Sequence, residues 1–274
     1  AEFMAGNLSL AMDDTDKVKI LYDDCLQNRL RVLPPDINTG TYEFTPLRTQ
    51  GAPVDQPLTD IRYGLGAVRG TGEAAIEAIV KARETGGPFT DLFDFCARVD
   101  RRQVNRRAIE ALMRAGAFDG LYAAGSNQKG KPYDIRSTLL ASLARAIEAA
   151  EQAEASIHQV SLFETAGETD RHLPELVSEP PWPEKKRLQE EKTALGLCLT
   201  GHLFDAYRNE VAHFVRQPLV KVTEGKDQLL AGIITSARML TGQRGRMMVA
   251  TIDDGTAAME VMLYSEVYEP NRSW

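Results

Sequence analysis

Glycines punctuating an otherwise helical stretch restrict this chain most. Between Ile61 and Leu121 apolar residues recur at three- and four-residue spacing, and the pattern breaks at the glycines 64, 66, 70, 72, 86, 87 and 116. Glycine inside a helix is disfavoured by about 1 kcal/mol relative to alanine, so grouped glycines mark the ends of short helices. The stretch is expected to be a compact module of short helices joined by tight turns.

Its sharpest segment is Leu65-Gly66-Ala67-Val68-Arg69-Gly70-Thr71-Gly72, followed by Glu73 to Ile79. Apolar positions 65, 68, 76 and 79 flank a G-x-G turn, the pattern of a helix-hairpin-helix. Glycine lets a backbone come close to a ligand, and amides at the start of the second helix can reach a phosphate oxygen. Such contacts grip a nucleic-acid backbone without reading its sequence. Arg69 stands where proline is common and adds a candidate phosphate contact. Thr71 stands where an aliphatic residue is common. The alternative reading is a tight turn with no ligand.

A second hairpin is expected over Ile109–Asp119, with Gly116 in its turn. It follows a basic run: Arg98, Arg101, Arg102, Arg106, Arg107 and Arg114 against Asp100 and Glu110, a local charge of +4. The whole chain carries −7, which argues against a binder held by net charge alone. Residues 136–199 hold eleven acids and seven bases, a charge of −4. The arginines read either as phosphate contacts or as a solvated helix face.

Elsewhere, residues 3–33 read as helical, with Asp13 and Asp14 as caps for a second helix and Pro34-Pro35 as its stop. Thr41–Phe44 reads as a short strand, Arg48–Thr59 as a loop, Gly125–Tyr133 as a polar loop, and residues 136–156 as an alanine-rich helix. Glu164–Glu184 is acidic and proline-bearing, a linker candidate. A helix is expected from Glu184 to about Leu199. Leu229–Arg238, Arg246–Asp253 and Ala257–Tyr264 alternate as strands around turn-like separators, the beginning of a small barrel. The fold class is therefore mainly α, followed by a truncated antiparallel β unit of OB type. The chain opens inside a helical pattern without methionine and stops after an unfinished strand pattern, so a piece of a longer polypeptide is expected.

Gln159-Val160-Ser161-Leu162-Phe163 pairs a glutamine with two apolar anchors beside the acidic stretch. That pattern suits a peptide that lays Leu162 and Phe163 into a partner's pocket while Gln159 bonds at the rim. Alternatively the two side chains finish the core of the preceding helix. No catalytic constellation stands out. Asp13, Asp14 and Asp16 suit a helix start, the four histidines lack metal or nucleophile spacing, and Cys25, Cys96 and Cys198 read as reduced structural thiols. No apolar run reaches the ~20 residues of a membrane helix, and no leader opens the chain, so a cytoplasmic protein without membrane contact is expected.

The ordered series of segments resembles the C family of bacterial replicative DNA polymerases, the polymerase III alpha subunits. It includes AEFMAGNLSLAMDDTDKV at 1–18, VLPPDIN at 32–38, YGLGAVRGTG at 63–72 and FTDLFDFC at 89–96. It continues through NRRAIEALMRAGAFD at 105–119, QVSLF at 159–163, ALGLCLTGH at 194–202 and DDGTAAMEVML at 253–263. The resemblance implies five regions. Residues 1–60 would end the fingers domain. Residues 61–122 would be a tandem helix-hairpin-helix that binds duplex DNA. Residues 123–183 would hold a loop, the alanine-rich helix, the clamp-binding peptide and an acidic linker; 184–225 a helical connector; 226–274 a truncated OB-fold near single-stranded template. It makes the sliding clamp (the beta subunit) the partner of Gln159, Leu162 and Phe163, with other replicase subunits as further partners. The DNA contacts would be Arg69, Gly70, Thr71, Gly72, Arg101, Arg102, Arg106, Arg107 and Gly116. The family's catalytic aspartates and their magnesium lie outside the matching segments, so this span is expected to bind no cofactor or metal and to be inactive alone. The competing readings are a stand-alone, non-enzymatic DNA-binding adaptor and the error-prone paralogue of the same polymerase.

Overall fold

The computed structural model describes residues 1–49, 51, 53, 57–125, 134–160, 175–224, 227–242 and 245–271. The chain divides into two units, Ala1–Leu199 and Thr200–Trp274.

The first unit opens with α1 (Glu2–Leu10) and α2 (Thr15–Gln27). Asp14 is the expected cap of a second helix: its carboxylate accepts hydrogen bonds from the amides of Asp16 and Lys17 and starts α2. The end comes before Pro34. Arg29 takes a left-handed conformation (φ 59°) and turns the chain into β1 (Arg31–Leu33). β1 lies parallel to β3 (Asp60–Arg62), which pairs antiparallel with β2 (Thr45–Leu47). The expected strand at Thr41–Phe44 is displaced to β2, since Thr41 uses its hydroxyl on the Glu43 carbonyl in a turn. Arg31 and Asp60 join β1 to β3 through two hydrogen bonds.

After a single 3₁₀ turn at Leu65–Ala67 come α3 (Glu73–Gly86), α4 (Leu92–Arg98) and α5 (Arg106–Arg114). Then α6 (Arg136–Val160) packs along α4, and α7 (Glu184–Leu195) packs on α5. One core runs through these elements. Phe89, Phe95 and Phe118 meet edge to face at 5.0 and 4.9 Å in its middle, a favoured aromatic geometry. Leu65, Ile76, Ile79 and Leu112 are wholly buried beside them. Gly64 sits where a side chain would strike the backbone of Tyr42–Phe44, so the glycine permits the close crossing.

The described end of the expected linker is no free tether. Glu175–Pro183 runs extended along α6: the amides of Val177 and Glu179 donate to Ser142 Oγ and Thr138 Oγ1. The hydroxyls of Ser137 and Thr138 donate in turn to the carbonyls of Pro180 and Glu179. The polar loop expected over Gly125–Tyr133 falls, beyond Gly125, outside the described residues.

The second unit holds α8 (Asp205–Val211) and an antiparallel sheet, β4 (Ile233–Gly242), β5 (Gly245–Asp253) and β6 (Ala258–Tyr264), in that order. This is the expected meander, with a register irregularity between Ile234 and Ser236. Its β5–β6 turn is organised by Asp254, whose carboxylate accepts from the amides of Leu219, Thr256 and Ala257 and from the Thr256 hydroxyl. Burial works against that charge, yet the donors together hold the carboxyl below its ordinary range. The chain is thus mainly α with a small β unit after it. Among the described residues no helix is long and apolar enough to cross a membrane.

Candidate nucleic-acid interface

The first glycine turn is built as an open helix start. Gly70 adopts φ +86°, a conformation costly for any residue with a Cβ. Gly72 is the N-cap of α3 and supplies no side chain, so the amides of Gly70, Gly72, Glu73 and Ala74 donate to no protein acceptor among the described residues. Gly70 and Gly72 are exposed, and a Cβ at either would meet nothing within 4 Å. Such a terminus concentrates unsatisfied donors and the positive end of a helix dipole. The exposed carboxylate of Glu73 lies on the same first turn, so an incoming anion must settle beside it.

Two residues of this turn behave otherwise than their types suggest. Thr71 does not pack as an aliphatic would. Its hydroxyl donates to the carbonyls of Leu65 and Val68 and closes the turn from within. Arg69 is engaged with the carboxyl end of α7: its amide donates to the Ala194 carbonyl at 2.8 Å and its Nη1 reaches the Thr193 carbonyl at 3.5 Å.

Gly116 corrects the sequence reading. It ends a helix rather than opening one, with φ +85°, its amide on the Met113 carbonyl and the Ala117 amide on the Leu112 carbonyl, the pattern of a Schellman C-cap. It is buried, and Arg136 lies so close that a Cβ would collide with its guanidinium. No amide is presented there. The second pair of helices is instead α4 and α5, joined by the glycine-free connection of residues 99–105. Asn105 caps α5 by accepting from the Ala108 amide.

The arginine run divides by partner. Arg98 is a strut, paired with Asp94 at 2.8 Å, bonded to the Ala82 carbonyl and stacked over Phe89. Arg101, a predicted contact, is bound to Glu151 and Glu154 of α6. Arg106 is paired with Glu110 one turn along at 2.8 Å, and Arg114 with Glu190 of α7. Only Arg102 and Arg107 of the six are exposed with no side-chain partner among the described residues. Arg107 lies in the first turn of α5, which carries no acid, and Arg102 lies in the connection that precedes it.

Sequence reasoning missed Arg136, which is 2% exposed yet charged. It bonds Asp119 through two nitrogens and the Arg114 carbonyl at 3.1 Å, and lies 3.7 Å from the wholly buried Glu191. Burial disfavours its charge, but Asp119 and then Glu191 outweigh that and raise its pKa. The group ties α5, α6 and α7 together. An arginine at the head of an alanine-rich helix gives no sign of this in sequence.

Of the expected partner peptide, Gln159 lies near the end of α6, and Leu162 and Phe163 lie outside the described residues. The three cysteines are free, and burial pushes the thiols of Cys25 and Cys96 up to about 11 and about 12. Among the described residues no three His, Cys, Asp or Glu side chains gather as metal ligands would.

The helix-hairpin-helix motif family matches residues 29–129. Three relatives share one name, DNA polymerase III subunit alpha. That of Neisseria meningitidis serogroup A is 40% identical over 269 residues, 98% of this chain and 22% of its own length. That of Vibrio cholerae is 42% identical over 282 residues, 100% of this chain and 22% of its own. That of Escherichia coli K12 is 39% identical over 278 residues, 98% and 22% respectively. The chain spans about a fifth of the length of the curated relatives it matches, and it is homologous to that segment of them.

Proposed function

We propose, from the homology of this chain to a segment of DNA polymerase III alpha subunits, that it serves a replicative DNA polymerase by holding duplex DNA and by tethering the enzyme to its sliding clamp. The open start of α3 behind Gly70 and Gly72 carries the first half of this reading. Its free amides suit a phosphate oxygen and no particular base. Arg102 and Arg107 are the cations left to neutralise further phosphates. The clamp half rests on the run Gln159-Val160-Ser161-Leu162-Phe163 and on the homology. Tethering would raise the effective concentration of the active site at its template rather than alter the chemistry. Nucleotidyl transfer and its magnesium belong, in this reading, to the remaining length of such a polymerase, which this chain does not span.

Fluorescence anisotropy of a labelled duplex, read across a salt series, tests the first half. Affinity should fall log-linearly with salt, and Arg107→Ala should lower the slope by about 0.9, one phosphate contact. A salt-independent signal, or none at low salt, would dispose of the reading. For the second half, Leu162→Ala with Phe163→Ala should abolish capture by a bacterial sliding clamp in a pull-down while leaving duplex affinity unchanged. Undiminished capture would remove the clamp assignment.

A further inference from the structure

We infer that Arg69 is a positioning residue: it fastens the Gly70–Gly72 turn to the carboxyl end of α7 and takes no phosphate itself. The inference rests on the reading that this turn meets phosphate.

Three successive carbonyls at the end of α7 are occupied by the stem of the turn. The Thr193 carbonyl accepts from Arg69 Nη1, the Ala194 carbonyl from the Arg69 amide, and the Leu195 carbonyl from the Tyr63 hydroxyl at 3.4 Å. Those carbonyls are among the last four of the helix, which have no partner within it. They form the negative end of its dipole, where a guanidinium is favoured. Gly196 then ends α7 with φ +82°, and its missing side chain leaves room for Arg69 Nη2, 3.1 Å from where a Cβ would stand. Backbone amide, guanidinium and glycine gap therefore agree. Thr71 closes the turn from inside while Arg69 anchors it from outside. The anchor comes from a helix that lies beyond residues 29–129, the span of the helix-hairpin-helix match.

A phosphate ligand and an anchor differ in one measurable respect. Losing a ligand removes counterion release and flattens the salt dependence; losing an anchor weakens binding at every salt concentration alike. With the labelled duplex, Arg69→Ala should reduce affinity about fivefold, the equivalent of one lost hydrogen bond, with the slope unchanged. Arg107→Ala should flatten that slope by about 0.9 in the same assay. A flattening of the same size in Arg69→Ala would make Arg69 a ligand and overturn the inference, and so would an affinity equal to that of the unsubstituted protein. Hydrogen exchange supplies a readout that needs no DNA. The Thr71 amide, bonded to the Val68 carbonyl within the turn, should exchange faster in Arg69→Ala. Unchanged exchange would refute the anchor. Absence of duplex binding by the unsubstituted protein would refute the proposed function and leave the exchange result to decide the role of Arg69.

Discussion

Gly196→Ala should be among the most damaging small substitutions in the first unit, and the reason divides into two measurable parts. The residue has φ +82°, so a Cβ there carries the left-handed penalty of about 1–2 kcal/mol. The new methyl would also overlap Thr15 Cγ2 at the first turn of α2. α7 cannot yield freely, because it is held by Arg69, Arg114 and Arg136. Overpacking of that kind costs about 1–3 kcal/mol, and the sum is about 2–5 kcal/mol. With a urea slope of about 2 kcal/mol per M, the midpoint of the first unit should fall by about 1–2.5 M, followed by far-UV circular dichroism. Thr15→Ser removes Cγ2 alone. Combined with Gly196→Ala it should recover the overpacking part and leave the backbone part, a coupling of about 1–3 kcal/mol in a double-mutant cycle. If the double variant were no more stable than Gly196→Ala, the clash would not be the cause and the placement of α7 against α2 would be wrong.

Arg136→Met should destabilise the first unit by about 3–5 kcal/mol in urea, because Asp119, the Arg114 carbonyl and the wholly buried Glu191 lose their shared cation. Adding Glu191→Leu should return part of that loss. Asp60 gives a pH test. Arg31 chiefly holds its carboxyl below the ordinary range, against burial and with help from Thr49 and Thr59. A depressed folded pKa contributes stability that is present above about pH 4, the unfolded value, and lost as pH falls through the folded one. The stability gap between the protein and Asp60→Asn should therefore be full at pH 6 and shrink below about pH 4. A gap that widened on acidification would contradict the pairing.

Much of the fold was legible because local chemistry decides it. Asp14 caps a helix with its own side chain, Gly70 and Gly72 mark a turn, and alternation marks β4 to β6. The three-residue strands β1 to β3 escaped because so short a run shows no period, and β1 pairs with residues about thirty positions further on. The geometry of the candidate site was legible in Gly70 and Gly72 and poorly so in its charges. A run of six arginines cannot reveal that Glu151, Glu154 and Glu190 take up two of them, since those acids lie tens of residues downstream. Gly116 misled for a related reason. A glycine can open one helix or close another, and only the bonds of its neighbours tell which.

The extended run along α6 gives proline a use that composition conceals. Among the described residues Val177 and Glu179 lend their amides to α6, while Pro180, Pro181 and Pro183 have none to lend. Sliding the run by one residue would offer Pro180 to a hydroxyl that needs an N–H, so the alignment is locked. A stretch with the composition of a spacer thereby acts as a ruler: it meters the distance to Glu184 and dictates where the last helix of the first unit must begin.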